Sequence, residues 1–592
     1  MNLTDEQREI GKDNMNRVVG TTRRDFLKDA VGGLAAGGGG LGAAYYQYDT
    51  KLEKRLRVGI IGTGDEGNVL IGALNPDFIE VVAIADPRPY SQHRAFYGDW
   101  YSARGKEARP GLCKVYGWKD REEGEKNVKV YSDYEELLAN KDVEAVIIAL
   151  PLFLHDIAAI KAMRAGKHVL TEKLMGKTVH QCKEMARVAK QTGLLLATGH
   201  QRHYSVLYDN AVDTIRRGVI GDLHHIRAQW HRGSDSWRPP LPLGTPLEEV
   251  KNMIRAARKN PDNAKAKADE ARIKAEHKLV LELESWERVA SGKHPKYPNL
   301  KPAQLDEWAR KVAQKRAQVE DEIVDATQYG YADGKGGDDH SYTAQEEMIR
   351  WRLWNRTGAG LMAELGSHQL DASGIFISSQ FKKGTKVQPL SVVAMGHKAL
   401  FPGNRDVDDH VYCTFEYPGK GYYEDDDPSK AVANDKKKVG VFYSSINSNG
   451  FGGYGEVVYG NKGTMILEKE AETMLFKSGA PTSVALGKGD DLVDSSESGG
   501  PAAAIAAAVT EKPSRGYREE IEHWAWCIKN DQPAETLHCH PKIALADAVI
   551  ALTSNIAIAD NRRIEFDKDW FEPESDATPE GIAPRKASEI TT

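Results

Sequence analysis

The chain has 592 residues, more than one hydrophobic core usually organises, so two or more domains are expected. Hydrophobic residues make up 40% and charged residues 28%, which fits a globular protein and excludes fibrous or disordered classes. A net charge of −6 offers no basic surface for nucleic acid, and five scattered cysteines, an odd number, form no disulfide framework.

Residues 1–50 read as an address ahead of the folded domains. Ala30 to Tyr48 is uncharged but dense in glycine, and so only weakly apolar. A membrane span wants roughly 20 strongly apolar residues. Thr22-Arg23-Arg24-Asp25-Phe26-Leu27-Lys28 precedes this run, and small residues (Gly42, Ala44) close it at a cleavage spacing. The layout is that of an export signal and resembles the twin-arginine signal, a receptor-read address. It implies the twin-arginine machinery as a partner and a periplasmic destination, with a tether if the signal stays uncleaved. Such proteins travel already folded, often around a cofactor. No second apolar run is read as long enough to span a membrane.

After the charged hinge 51–57, Val58 to Ile61 is a short branched apolar run, the mark of a buried parallel strand. Gly62, Gly64 and Gly67 follow with the spacing G-x-G-x-x-G, with Thr63 inside the turn. The first glycine permits the tight turn, the second lets a pyrophosphate approach the backbone, and the third lets the helix pack on the strand. A second strand, Glu80 to Asp86, ends on an acid at the distance expected for gripping ribose hydroxyls. Together these predict a dinucleotide site. Asp86 favours NAD, while the nearby Arg88 partly favours NADP.

Strands at 144–151, 168–173 and 194–199 alternate with helices, which predicts a doubly wound parallel sheet over 51–202. Ligands bind beyond the carboxyl ends of such strands. Pro151, His155, Glu172, Lys173, Gln201 and Arg202 sit at or just past those ends and are candidate cofactor contacts.

The segments "GIIGTGDEG", "VIIALPLFLHDIAAIKAMRAGKHVLTEKLMGKT", "GHQRHYS", "GDLHHIRAQW", "GAGLMAELGSHQLDASGIF", "GEVVYGNKGTMIL" and "HWAWCIKN" together resemble the Gfo/Idh/MocA family of oxidoreductases. The likeness covers roughly 56–235 and 350–565. It implies a Rossmann domain followed, over 203–592, by an α/β domain whose open, mainly antiparallel sheet walls the substrate cleft and often forms an oligomer interface. It also implies that Lys173, the lysine of a Glu-Lys-Pro motif, does acid/base chemistry at a sugar hydroxyl. Leu174 stands here in place of the proline. The physical case for Lys173 is separate: a lysine at a strand end over a nicotinamide is partly desolvated, which lowers its pKa toward the working pH. In "ELGSHQLD", Glu364 matches a position where the family commonly has Asp, and His368 matches the family's histidine. Orientation is implied for the acid, and substrate hydrogen bonding or proton transfer for the histidine, at an ordinary pKa near 6.5.

The implied activity is NAD(P)-dependent oxidation of a CH–OH group of a sugar, glycoside or cyclitol, with tightly bound cofactor. Two alternatives stay open: a redox-neutral glycosidase working by oxidation, elimination, hydration and reduction, and a non-catalytic sugar-binding protein. No metal is expected, because His538, Cys539 and His540 are adjacent and lack zinc spacing. Trp230, Trp237 and Arg238 suit a sugar face or packing at a sheet edge. Between about 240 and 350 the likeness fails. This stretch reads as charged amphipathic helices: a lid, an oligomer contact or a solvated decoration.

Overall fold

The computed structural model describes residues 3–19, 43, 46, 48–233, 238–382, 386–478 and 515–590. The twin-arginine motif and Trp237 lie outside the described residues.

The first sheet has six parallel strands: β1 (Leu56–Ile61), β2 (Ile79–Ala85), β3 (Lys129–Tyr131), β4 (Ala145–Ile148), β5 (His168–Glu172) and β6 (Leu196–Gly199). Their order is β3-β2-β1-β4-β5-β6, with the switch point between β1 and β4. Five of these strands were legible from their apolar runs because both of their faces are covered. Val58, Ile60, Ala145 and Ile147 are wholly buried. The short β3, "KVY", has one exposed residue and no apolar run, so sequence reading passed over it.

The turn after β1 is where backbone geometry is most constrained. Gly62 has a φ of +86°, a left-handed conformation open to glycine. Helix α2 (Asp65–Ala73) then runs so close to the strand that a Cβ on Gly67 would lie 2.1 Å from the carbonyl oxygen of Gly62. At Gly64 a Cβ would meet nothing within 4 Å. Helices α3 (Pro89–Tyr97), α4 (His155–Arg164) and α5 (Val179–Thr192) complete the crossovers. The domain is a Rossmann-like doubly wound sheet, as the alternation predicted.

The second sheet has eight strands. They are β7 (Leu223–His231), then β8 (Ser391–His397), β9 (His410–Pro418), β10 (Lys438–Ile446), β11 (Tyr454–Gly460), β12 (Gly463–Glu468), β13 (Glu472–Lys477) and β14 (Ile564–Glu565). The order is β13-β12-β11-β7-β10-β9-β8-β14, and the β7–β10 pair is parallel within an otherwise antiparallel sheet. The α/β fold class read from the sequence is therefore the one observed. Trp230 sits on β7, in the middle of this sheet, which corrects the sheet-edge reading. It stacks on Tyr454 at 4.4 Å.

Two further expectations are corrected. Residues 1–50 do not all lie apart from the folded body. Helix α1 (Asp5–Val19) packs on β13, burying Met15 and Val18, and Asn14 donates to the carbonyl of Leu475 at 2.9 Å. Ala43 and Tyr48 are buried, and the Tyr48 hydroxyl donates to Glu522 at 2.6 Å. Its sparse apolar stripe made α1 hard to read. The second correction is helix α12 (Pro541–Asp560), 20 residues long and apolar enough to cross a membrane by length and composition. Residues Ala544 to Ser554 are all buried, against β8, α5 and β6, so it is a core helix shared by the two halves. Helix α11 (Tyr517–Lys529) likewise brings Ile521, Trp524 and Ala525 into the core of the first sheet.

The 240–350 insertion is built mainly on four long helices: α6 (Leu247–Arg258), α7 (Asn263–Glu276), α8 (Lys278–Ala290) and α9 (Pro302–Glu320). They pair as α6 with α7 and α8 with α9, and α9 docks along α3 of the Rossmann domain.

The two glycines make opposite predictions. Gly67→Ala forces a Cβ into a backbone carbonyl, and overpacking of this kind costs about 1–3 kcal/mol or more. Urea unfolding should show that loss. Gly64→Ala, with its Cβ in open space, should unfold at the same midpoint as the unmodified protein.

Candidate functional site

A cleft lies between the two sheets, with about 1230 Å³ of space when its open mouth is included. Its floor is the β1 turn (Gly62, Gly64, Asp65, Glu66). One wall is the ends of β4 and β5 (Ala149, Leu150, Pro151, Glu172, Lys173), and the facing wall is Arg232, Glu364 and His368. The cleft thus lies at the carboxyl ends of the parallel strands, with the second domain closing over it.

The two acids near the turn are fixed by hydrogen bonds. Asp86 is buried, and its carboxylate accepts from Thr63 N at 2.8 Å and Arg88 N at 3.0 Å. Asp65 opens α2 and pairs with Arg94 at 2.7 Å. Burial pushes the Asp65 carboxyl up, but Arg94 and Arg109 together hold it well below the usual range.

Lys173 occupies the junction of the two domains. Its Nζ donates to the carbonyl of Ala363 at 3.1 Å and to the carbonyl of Glu364. Those carbonyls belong to a π-helical turn, Met362–Gly366, which leads into α10 (Ser367–Ser378), and the Ala363 carbonyl also accepts from Ser367 Oγ at 2.9 Å. Wider π-turns leave backbone groups off the regular ladder and recur at functional sites. Burial lowers the ammonium pKa to about 8, against the opposing pull of Glu364, Glu172 and Glu66. A neutral amine keeps two N–H bonds for the two carbonyls and turns its lone pair to the cleft. The Lys173–Leu174 peptide is cis.

Glu172 is buried beside it, with Oε2 accepting from Lys173 N at 3.1 Å and Oε1 without a partner among the described residues. Burial, with Glu66 adding repulsion, raises its pKa. The Glu364 side chain does not touch Lys173. It pairs with Arg232 at 3.0 Å and Arg352 at 3.3 Å, so its link to the lysine is through its main chain. His368 is half-buried, with its ring 5.4 Å from Trp230. The expectation of an ordinary histidine pKa is corrected. Burial, reinforced by Lys173 and Arg202, pushes the imidazole well below 6.5, so it is neutral near pH 7. It can share a hydrogen bond with a hydroxyl but does not hold a proton in reserve.

The other candidates divide. Gly62, Gly64, Asp86, Arg88, Pro151 and His155 line the cleft. The ring nitrogens of His155 lie 2.7 Å from Leu174 O and 2.8 Å from Leu150 O, so its work is to tie two strand ends together. Thr63 and Gly67 build the turn from beneath. Gln201 and Arg202 stand outside the lining. Arg202 is buried in the second domain, bonded to Glu470 at 2.9 Å and to the His368 carbonyl. It braces α10 from behind, because two acids that sequence spacing could not place converge on it. Sequence reading missed Arg232, Tyr331, Met348, Trp351 and Arg352. The run "EEMIRWRLW", dense in aromatic and basic residues just before the "GAGLMAEL" motif, was the available signal.

Cys539 does not group with its neighbours His538 and His540. It comes together with His200 and Asp547, and His203, Asp371 and Asp547 form a second group that shares Asp547. Lys386 already supplies positive charge there, pairing with Asp371 at 3.0 Å and with Asp547.

The comparisons with known proteins agree with this geometry. Residues 56–200 match the Gfo/Idh/MocA oxidoreductase family, NAD-binding Rossmann fold. The chain is 34% identical over 117 residues to an uncharacterised oxidoreductase of Schizosaccharomyces pombe, covering 19% of this chain and 32% of that one. It is 35% identical over 181 residues to a dTDP-3,4-didehydro-2,6-dideoxy-alpha-D-glucose 3-reductase of Streptomyces violaceoruber, covering 31% and 46%. The chain thus spans under half the length of these relatives. The solved oxidoreductase domain protein from Kribbella flavida aligns over 87% of this chain and 100% of its own, at 13% identity and a TM-score of 0.49. Residues 56–200 are thus similar to the NAD-binding Rossmann domain of the Gfo/Idh/MocA oxidoreductases.

The residues fit that cofactor. The open space before Gly64 would admit a diphosphate, the buried Asp86 carboxylate would hold ribose hydroxyls, and Glu172 Oε1, without a partner among the described residues, would be free to bond the cofactor. Asp86→Ala should weaken NAD binding by about 1.5–3 kcal/mol, the size of one charge-assisted hydrogen bond. Calorimetric titration with NAD⁺ measures it, and an unchanged affinity would remove Asp86 from the site.

Proposed function

We propose that the chain is an oxidoreductase that transfers hydrogen between NAD and a CH–OH group of a sugar, glycoside or cyclitol, with the cofactor held tightly. The observation that carries this reading is the Lys173 amine, desolvated and anchored to two carbonyls of the second domain at the mouth of the dinucleotide turn. The sugar chemistry in the name of the Streptomyces relative supports the substrate class. The chemistry that bound NAD supplies is acceptance of the carbon-bound hydrogen with its electron pair.

The chain's own residues handle the proton. The neutral Lys173 amine takes it from the substrate hydroxyl, and the ammonium so formed is steadied by the Ala363 and Glu364 carbonyls and by the nearby acids. His368, neutral, holds a neighbouring hydroxyl. Arg232 and Arg352, locked on Glu364, shape the opposite wall. Arg23 and Arg24 support export by the twin-arginine route to the periplasm, and the open second sheet supports assembly into a homo-oligomer. Where no free nicotinamide pool exists, a retained cofactor must be re-reduced or reoxidised in place. A redox-neutral glycosidase meets that condition, and aglycone release without net NADH distinguishes it.

Because burial lowers the Lys173 pKa, the active form is the one present above it. Single-turnover reduction of bound NAD should rise with pH and level off above about 8. Lys173→Met should lower the rate by about 10²–10⁴-fold and abolish that rise while the nucleotide stays bound. Retention of both the rate and its pH dependence would make Lys173 structural. For export, Arg23→Lys with Arg24→Lys should leave folded protein in the cytoplasm. Cell fractionation showing normal export would refute the twin-arginine reading.

A further inference from the structure

The adenosine end of the cleft is completed by a residue far from the Rossmann domain in sequence. Asp321 follows α9, is wholly buried, and reaches the start of α3. Its Oδ2 accepts from Arg88 Nε at 2.9 Å and lies 2.7 Å from Arg88 Nη2, a two-pronged grip on the guanidinium. Its Oδ1 accepts from Tyr90 N at 3.0 Å, which satisfies an otherwise orphaned donor in the first turn of α3. Arg88 also stacks on Tyr90 at 5.6 Å, and its main-chain N–H is held by Asp86. The contact is one of a row. Gln314 on α9 accepts from Trp100 N at 2.7 Å and donates to Asp99 at 3.1 Å, and Gln318 accepts from the Tyr101 hydroxyl at 3.0 Å. The insertion is therefore seated on the Rossmann domain, and Asp321 is one of its wholly buried polar contacts with it.

Arg88 is the lining cation placed to receive a phosphate on the adenosine ribose. A phosphate is best bound by the two-pronged face of a guanidinium. Here that face is taken by a carboxylate, and a second carboxylate, Asp86, stands on the other side. An incoming 2′-phosphate would meet two acids around one arginine already engaged.

We propose that Asp321, delivered by the insertion, is a specificity-determining residue: it occupies Arg88 and so makes the site select a free ribose, NAD, over a 2′-phosphorylated one, NADP. The inference rests on the dinucleotide-site reading of the cleft, and its test separates the two. The full-length protein is titrated calorimetrically with NAD⁺ and with NADP⁺, and the nucleotide carried through purification is released by denaturation and weighed by mass spectrometry. The unmodified protein should prefer NAD. Asp321→Asn, which keeps the shape but frees the guanidinium, should narrow the ratio of the two dissociation constants by about tenfold or more, and NADP should appear among the released nucleotides. Arg88→Met with Asp321→Leu replaces the buried pair by apolar groups, a change such pairs often tolerate. This variant should fold, as judged by its melting curve, and, with no guanidinium left to receive a phosphate, should lack the gain in NADP affinity seen in Asp321→Asn. An unchanged ratio in folded Asp321→Asn overturns the proposal. So does selective loss of NADP affinity in the double variant, which would mean that Arg88 already serves a phosphate. Failure of the unmodified protein to bind either nucleotide overturns the dinucleotide reading itself.

Discussion

Much of this architecture follows from burying one amine where two domains meet. An ammonium cannot be taken from water without compensation. Lys173 finds it in two carbonyls of the π-turn at Met362–Gly366. The same contact ties the end of β5 to the second domain, so the relative placement of the cleft walls and the protonation of the lysine share one cause. Glu172 beside it, also deprived of water, moves the opposite way. Burial thus shifts the two neighbouring groups in opposite directions, the lysine down and the acid up.

The parts that were legible in the sequence are those governed by local rules. Branched apolar runs marked the buried strands, and the glycine spacing marked the turn, because each is dictated by the backbone within a few residues. What was not legible depends on long-range meetings. Arg202 stood just past a strand end, where ligand contacts gather, yet Glu456 and Glu470 of the second domain claim it. His368 carried the right side chain in the right motif, but its pKa is a property of how deeply the fold seats it. Helix α12 was passed over because its apolar residues have no polar face to give them a period. A helix buried on most sides looks the same in sequence as one destined for a bilayer.

The insertion departs most from the family resemblance. The outer faces of its charged helices are solvated: Arg258, Glu270 and Lys274 form an exposed ion-pair group. Its inner face is another matter, with Gln314, Lys315, Gln318 and Asp321 all buried. Polar residues at helical spacing are compatible with a lid, an oligomer contact or a solvated decoration alike; here those on one face form an interface within the chain. A polar interface suits a module docking on an already folded domain, since its cost of desolvation is met by specific partners rather than by apolar area.

Helix α1 has a consequence for the integrity of the second sheet. Strand β13 is that sheet's edge, and an uncovered edge is a template for pairing with other chains. Asn14 occupies one of its carbonyls, and Met15 and Val18 are buried as α1 packs over it. The cover is joined to the rest of the molecule through residues that re-enter the body at Ala43 and Tyr48. While that connection is intact, α1 is presented to β13 at the high effective concentration of a tethered ligand. Any peptidase that cuts between the two turns the cover into a separate peptide, held only by its own affinity. Dilution would then strip it, and the edge would be left to find a strand from another molecule.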